Sequence, residues 1–173
     1  MAKRLLVICT LLCLDLFVFV LIYESNVEDS VKASTTFYEN VIALTFDDGP
    51  HGTYTKELLE GLKKREVVAS FFILGEHIEG NEELLLQMKE DGHLIGNHTF
   101  SHVKLDELND QTACDEVRRT CEAIESITGE PVEYIRPPYG AYNEKLECMI
   151  NLNKVLWTID PQDWNTTNVD AVV

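Results

Sequence analysis

Short apolar stretches alternate with longer amphipathic stretches along residues 41–159. The short stretches are rich in β-branched and aromatic residues and predict strands, whereas apolar positions three and four residues apart predict helices. The predicted strands cover residues 41–46, 67–74, 93–96, 132–135 and 155–159, and the predicted helices cover residues 54–65, 82–91, 105–128 and 143–151. Such alternation, with polar motifs at strand ends, predicts an α/β fold, a parallel (β/α) barrel with its functional site at the carboxyl-terminal face.

The first 40 residues follow a different pattern. Lys3 and Arg4 precede an apolar run over residues 5–22 that is long enough to span a membrane, although Asp15 inside it costs about 3 kcal/mol in lipid. No small-residue cleavage site follows the run, so we predict an uncleaved anchor in the cell membrane, with a cleaved signal and secretion as the alternative. The predicted organisation is a signal anchor at 1–23, a polar linker at 24–40 and one extracellular domain at 41–173.

The chain carries a formal net charge of -16. This charge disfavours a nucleic-acid partner and binding to anionic lipid, and it leaves a neutral glycan compatible. We expect a monomer. Cys114 and Cys121 lie on one predicted helix, too far apart along its axis to form a disulfide, and Cys148 could pair with either of them only if the fold brings them together.

Two adjacent carboxylates, Asp47 and Asp48, follow the first predicted strand in the run TFDDGP, residues 45–50. The Gly-Pro turn forces the chain out of the sheet and can direct both carboxylates into one cleft, as a metal ligand beside a base requires. An ordinary solvated turn accounts for this run equally well.

Two histidines, His98 and His102, lie four residues apart in the run HTFSH. At this spacing two imidazoles share one face of a helical turn and can bind one ion. The run is not a zincin motif, because Thr99 stands where that motif has its glutamate, and a structural role is commoner for an isolated pair. With Asp48 the histidines make a three-ligand set that leaves coordination positions open, as catalytic zinc requires.

Two further motifs follow predicted strands: RPPYG at residues 136–140 and DPQDW at residues 160–164. Taken separately, Arg136 and Asp163 could form a structural ion pair, the prolines could stiffen a loop and Trp164 could fill a core. The order of all four motifs points to a more specific interpretation.

The succession TFDDGP, HTFSH, RPPYG and DPQDW resembles the polysaccharide deacetylases, carbohydrate esterase family four, over residues 41–164. The resemblance implies a distorted (β/α) barrel of the polysaccharide deacetylase type, with about five of seven βα units in this chain. It also implies a metal-dependent hydrolase that removes N-acetyl groups from an N-acetylglucosamine-containing polysaccharide, peptidoglycan or chitin-like. A predicted membrane tether makes peptidoglycan the first expectation.

The resemblance further implies the roles of individual residues. Asp48, His98 and His102 would hold a divalent metal, zinc by default, with cobalt or nickel compatible with the same ligands. The metal would lower the pKa of bound water and polarise the acetamide carbonyl, and Asp47 would accept the proton of the water as general base.

Three other motif residues would support this chemistry. Arg136 would keep Asp47 ionised and oriented, and Asp163 would brace the guanidinium of Arg136 from the other side. Tyr139 would contact the substrate, and its backbone N–H would complete an oxyanion hole. Trp164 would form an apolar wall for the sugar.

One part of the family pattern has no counterpart in this sequence. Family members carry a Leu-x-His motif after the Asp-Trp pair, whose histidine protonates the leaving amine, whereas His51, His77 and His93 all precede the third motif. We therefore expect a C-terminally incomplete member of the family. An inactive deacetylase acting as a metal-dependent carbohydrate-binding module and an acetylxylan esterase are the alternatives. A non-haem iron oxygenase also uses two histidines and one carboxylate, but it would leave Asp47 and Arg136 without a role.

Overall fold

The structure is a computed structural model that describes residues 41–143, 146–149, 151–168 and 170. Within these residues five strands and three helices follow one another: β1 Thr45–Gly49, α1 Tyr54–Lys64, β2 Ser70–Ile73, α2 Glu82–Glu90, β3 Leu94–Asn97, α3 Asp110–Thr128, β4 Tyr134–Ile135 and β5 Asn153–Lys154. Single turns of 3-10 helix lie in the loops at Gly75–His77, Leu105–Glu107, Pro138–Gly140, Glu147–Met149 and Asp163–Asn165.

The five strands form one sheet in which every neighbouring pair is parallel and the strand order follows the sequence from β1 to β5. The pairing of β2 with β3 runs without interruption from Ser70 opposite Leu94 to Ile73 opposite Asn97. Because parallel strands all end at the same edge of a sheet, the loops that follow them meet there. The predicted α/β fold is confirmed. In the described part of the chain β1 and β5 do not pair, and closure into a barrel stays a prediction.

Two clusters of buried apolar side chains hold the helices to the sheet. The first lies around β2 and contains Leu59, Leu62, Ala69, Phe71, Ile73, Ile78, Leu84, Leu85, Met88, Ile124 and Val132. The second lies beside α3 and β4 and contains Leu105, Ala113, Val117, Ile135, Leu146 and Met149. Full burial of one such side chain stabilises the fold by about 1.5 to 3 kcal/mol, so these clusters fix the sheet edge that carries the motif loops.

The bounds of α1 and α2 agree with the sequence prediction to within one residue. The predicted helix over 105–128 begins too early, because Asn109 has an extended backbone and its Oδ1 accepts a hydrogen bond from Thr112 N at 3.0 Å, which caps α3. Gly129, with a left-handed φ of 70°, ends the helix. The predicted helix over 143–151 is wrong in the described residues, which contain there only the 3-10 turn Glu147–Met149.

Two predicted strands are displaced. The first begins at Thr45 instead of residue 41 and continues through the acidic pair to Gly49. The last is β5 instead of residues 155–159, although Val155 N still donates to a carbonyl of β4 at 2.9 Å. After that bond the carbonyls of Val155 and Leu156 accept hydrogen bonds from the side chain of Arg136, and the strand does not continue.

A disulfide joins Cys114 of α3 to Cys148 of the turn Glu147–Met149, whose Cα atoms lie 5.4 Å apart. The sequence left the partner of Cys148 open, and the fold brings it to Cys114. Cys121 is a free, half-buried thiol.

The predicted anchor at 1–23 and linker at 24–40 lie outside the described residues. Among the helices that the structure does describe, none combines the length and the apolar composition needed to cross a membrane.

Candidate active site

The two acidic residues lie in an irregular stretch of β1. The register with β2 shifts between Phe46 and Gly49, and Asp48 has a left-handed backbone with a φ of 64°. Neighbouring side chains in a regular strand point to opposite faces, whereas an irregularity of this kind can bring them to one side. Asp48 contacts His98, and Asp47 contacts the side chain of Arg136, whose backbone carbonyl accepts from His98 Nδ1. The acids therefore belong to the end of the strand and face one site.

Asp48 and the two histidines of the second motif form one cluster. Asp48 Oδ1 lies 3.4 Å from His98 Nε2 and 3.3 Å from His102 Nε2. One ligand atom from each of the three residues lies within 4.8 Å of the other two. His98 is buried, and Asp48 is exposed on the solvent side of the cluster. A ligand bound here is thus reached from solvent.

The hydrogen bonds of the imidazoles show that the cluster suits a cation. His98 Nδ1 bonds to the carbonyl of Arg136, and because a carbonyl only accepts, Nδ1 carries the proton. In the neutral ring Nε2 then has a lone pair that faces a carboxylate oxygen, so a proton or a metal cation between the two atoms is needed to satisfy both. His102 Nδ1 lies 3.2 Å from the hydroxyl of Tyr139, which orients the second ring. The two imidazoles and one carboxylate fit zinc, cobalt or nickel.

Charge also favours the ionised form of Asp48. When the imidazoles are protonated, the hydrogen bond of His98, followed by the charges of His102 and His98, holds the pKa of Asp48 below its usual value, although burial acts in the opposite direction. An ionised carboxylate is the form that binds a metal.

The two histidines do not share a helical turn, and that prediction is wrong. They lie in an irregular loop in which Thr99 and His102 are left-handed, with φ values of 67° and 55°. This conformation costs about 1 to 2 kcal/mol per residue, so the surroundings must hold it. The side chain of Asn97 is part of those surroundings, because its Oδ1 accepts from Thr99 N at 2.7 Å and its Nδ2 donates to the carbonyl of Val117 in α3 at 2.8 Å.

Arg136 extends from the end of β4 to β1. Its Nη1 lies 2.8 Å from Asp47 Oδ1 and 2.8 Å from Thr45 Oγ1. Its Nε and Nη2 donate to the carbonyls of Val155 and Leu156 at 3.2 Å and 3.1 Å. The arginine side chain is 4% exposed and that of Asp47 is 30% exposed, so the guanidinium side of the ion pair is shielded from water while the carboxylate is partly accessible.

Opposing influences set the protonation of Asp47. Burial raises the pKa of Asp47 above its usual value and is the largest effect, whereas the charges of His98 and Arg136 and the hydrogen bond of Arg136 lower it. A raised pKa makes a carboxylate a stronger base, while the arginine favours the ionised form of Asp47 and holds its side chain in place.

Tyr139 lies in the turn Pro138–Gly140 with a left-handed φ of 59°. Its ring lies 4.9 Å from the ring of His102 and is largely exposed. No described residue accepts a hydrogen bond from its backbone N–H, so this donor is free to bind a ligand.

Asp163 and Trp164 lie in the exposed turn Asp163–Asn165. No contact between Asp163 and Arg136 is found among the described residues, and the role of Asp163 in bracing the guanidinium stays a prediction. Among the described residues the guanidinium has its ion pair with Asp47, and the carbonyls of the chain leaving β5 take the other side. Trp164 is 75% exposed, and its role as a wall for the sugar stays a prediction.

Two residues next to the site were not predicted from the sequence. His77 Nδ1 lies 3.0 Å from the backbone carbonyl of Asp48. Thr45 Oγ1 accepts a hydrogen bond from Arg136 Nη1, the same atom that bonds to Asp47. Thr45 could have been found from the alternation of side chains, because it lies two residues before Asp47 on the same strand. His77 is far from every motif, and no sequence signal indicates it.

A family model described as polysaccharide deacetylase matches residues 34–154. The chain belongs to the polysaccharide deacetylase family. This confirms the resemblance that the four motifs carry, and the matched region begins before residue 41, where we predicted the domain to start.

Individual polysaccharide deacetylases agree with this assignment. The peptidoglycan-N-acetylmuramic acid deacetylase PdaC of Bacillus subtilis (strain 168) is 38% identical over 135 residues, which cover 78% of this chain and 29% of that protein. A chitooligosaccharide deacetylase of Rhizobium leguminosarum bv. trifolii is 40% identical over 142 residues, which cover 76% of this chain and 63% of the relative. The solved structure of peptidoglycan deacetylase PdaC from Bacillus subtilis matches with a TM-score of 0.73 at 39% identity, covering 76% of this chain and 65% of that one. The chain thus spans less than two thirds of the length of these relatives.

Proposed function

We propose that this polysaccharide deacetylase removes N-acetyl groups from peptidoglycan or from a chitin-like N-acetylglucosamine polymer, with a divalent metal as cofactor. The observation that carries the proposal is the cluster of Asp48, His98 and His102 beside a carboxylate, Asp47, that Arg136 holds. The names of the relatives support the reaction, since they are deacetylases of peptidoglycan and of chitooligosaccharides.

Asp48, His98 and His102 would hold the cation, with zinc the first candidate and cobalt or nickel compatible with the same donors. When bound, the cation would polarise the acetyl carbonyl of the substrate and lower the pKa of a water molecule in the site.

Asp47 would act as the general base. Its carboxylate accepts a proton from water as the water oxygen attacks the acetyl carbon. That proton is then transferred to the nitrogen as the C–N bond breaks, which yields acetate and an amine. Arg136 holds the carboxylate at 2.8 Å from its Nη1, which keeps the base oriented before substrate binds. The backbone N–H of Tyr139 would donate to the carbonyl oxygen as negative charge develops on it.

The exposure of the site is compatible with a polymeric substrate. Tyr139 is 62% exposed beside His102, and an exposed aromatic ring offers a flat apolar surface to a sugar. We further propose that residues 5–22 anchor the chain in the cell membrane and place the domain outside the cell, next to the wall polymer. The apolar sequence of that run supports this part of the proposal.

Acetate release tests the function. The full chain, purified in mild detergent and loaded with Zn²⁺ or Co²⁺, is incubated with N-acetylglucosamine oligomers and with peptidoglycan. We expect release that a chelator stops and that Asp47→Asn reduces by about 100-fold or more. A folded, metal-loaded chain that releases no acetate from either substrate would overturn the proposal.

A further inference from the structure

Glu116 lies on α3, outside the four motifs, and its carboxylate contacts the loop between the two histidines. Its Oε2 accepts hydrogen bonds from Phe100 N at 3.0 Å and from Ser101 N at 2.8 Å. The hydroxyl of Ser101 lies 3.0 Å from both carboxylate oxygens. One side chain thus satisfies the two central backbone donors of the loop.

The loop needs such a partner because its backbone is strained. Thr99 and His102, on either side of the Phe100-Ser101 pair, both have positive φ values that L residues rarely adopt. No intrahelical hydrogen bonds are available to a chain in this conformation. A carboxylate makes stronger hydrogen bonds to N–H groups than a neutral acceptor does, so Glu116 is suited to hold the turn closed.

The opposite side of the loop is held by the backbone that follows β2. Gly75 N donates to the carbonyl of Thr99 at 3.1 Å, and Glu76 N donates to the carbonyl of Phe100 at 3.0 Å. The ring of Phe100 packs under the guanidinium of Arg119 at 3.5 Å and against Gly75, where a Cβ atom would collide with it. The loop is therefore held between fixed backbone on one side and α3 on the other.

We propose that Glu116 is a positioning residue that sets the separation of His98 and His102 and thereby the metal affinity of the site. It makes no described contact with either imidazole and acts through Phe100 and Ser101. The inference rests on the proposed metal-dependent function and deepens it, since it extends the metal site to a residue of α3. Residues that orient metal ligands in this way commonly change metal affinity by about 10-fold to 100-fold.

The test compares Glu116→Ala and Glu116→Gln with Glu122→Ala in the full chain. Glu122 is the matched control, because it is an exposed carboxylate of the same helix whose partner is Arg118. The affinities for Zn²⁺ and Co²⁺ are measured by chelator competition, together with the visible absorption of bound Co²⁺. We expect Glu116→Ala to lose affinity by about 10-fold or more, Glu116→Gln to lose less because it keeps one acceptor oxygen, and Glu122→Ala to bind as wild type does.

The outcomes separate this inference from the proposed function. A wild-type chain that binds neither ion would overturn both. A wild-type chain that binds metal, with a folded Glu116→Ala variant of unchanged affinity and unchanged Co²⁺ absorption, would overturn the positioning role alone. Folding is followed by circular dichroism. Should Glu116→Ala not fold, the comparison of Glu116→Gln with Glu122→Ala decides, since equal affinities contradict the proposal and a loss confined to Glu116→Gln supports it.

Discussion

The Nη1 atom of Arg136 lies 2.8 Å from Oδ1 of Asp47, and this ion pair joins the end of β4 to β1. Two strands, β2 and β3, lie between them in the sheet. Because neighbouring strands are about 4.8 Å apart, a flat sheet would separate β1 from β4 by roughly 14 Å. The side chain of Arg136 crosses this separation, with its guanidinium 4.3 Å from the ring of Phe72 in β2.

Arg136→Gln tests the electrostatic part of this relationship. Since Arg136 lowers the pKa of Asp47, its removal should raise that pKa further, and a base must be ionised to act. We expect the acidic limb of the kcat/KM profile to move to higher pH by about one pH unit or more. Arg118→Gln, which removes an exposed arginine of α3, is the control. A lower plateau with an unmoved limb would contradict the role of Arg136 in the ionisation of Asp47.

Metal binding should stabilise the fold. Denaturant unfolding of the metal-free chain is measured with and without Zn²⁺, and at a free concentration of 100 times Kd we expect a gain in the free energy of unfolding of about 2.7 kcal/mol. Asp48→Asn and His98→Ala should remove this gain because each deletes a proposed ligand. His51→Ala is the control, since that exposed ring stacks on Tyr54 instead of joining the cluster. Equal stabilisation of all variants would mean that zinc binds elsewhere.

Loss of the disulfide should lower stability more than loss of the free thiol. Cys114 and Cys148 are separated by 34 residues, and closure of a loop of that length stabilises a fold by about 3 to 4 kcal/mol. We expect the double variant Cys114→Ala/Cys148→Ala to lose about that much free energy of unfolding. Wild type reduced with dithiothreitol should show a similar loss. Cys121→Ala should lose clearly less. Equal losses in the double variant and in Cys121→Ala would count against the pairing.

His93 should make stability depend on pH. Burial lowers the pKa of His93 in the fold, while Nδ1 accepts from Ala69 N at 3.1 Å. Below about pH 6.5 the unfolded chain therefore binds a proton that the folded chain does not, so the free energy of unfolding falls with decreasing pH until the lower folded pKa is passed. The slope contributed by one group is at most about 1.4 kcal/mol per pH unit.

His93→Asn isolates this effect, because an asparagine Oδ1 can accept from Ala69 N and does not titrate. Stability curves from pH 8 to pH 5, referred to their values at pH 8, should be flatter for the variant than for wild type. Parallel curves would show that His93 does not carry the pH dependence.

Local sequence patterns were sufficient for much of the fold. The bounds of α1 and α2 follow from apolar positions on one helical face, and the parallel α/β order follows from the alternation of elements. The start of α3 was missed because the turn before its N-cap, Asn109, has apolar residues that continue the helical spacing. The last strand was misplaced because the side chain of Arg136 donates hydrogen bonds to the carbonyls of Val155 and Leu156, so these residues do not continue the strand.

The candidate site was likewise predicted only in part from the sequence. The sequence by itself indicated the residues that we propose carry the chemistry, since carboxylates, imidazoles and an arginine stand in four ordered motifs. The resemblance also implied that Arg136 acts on Asp47. Only the tertiary structure showed the remaining partners: the carbonyls after β5 accept hydrogen bonds from Arg136, and Glu116 of α3 accepts hydrogen bonds from the histidine loop. Arg136 and Asp47 lie 89 residues apart, and a contact over that distance depends on the pairing and packing of the strands between them, which short-range periodicity does not encode.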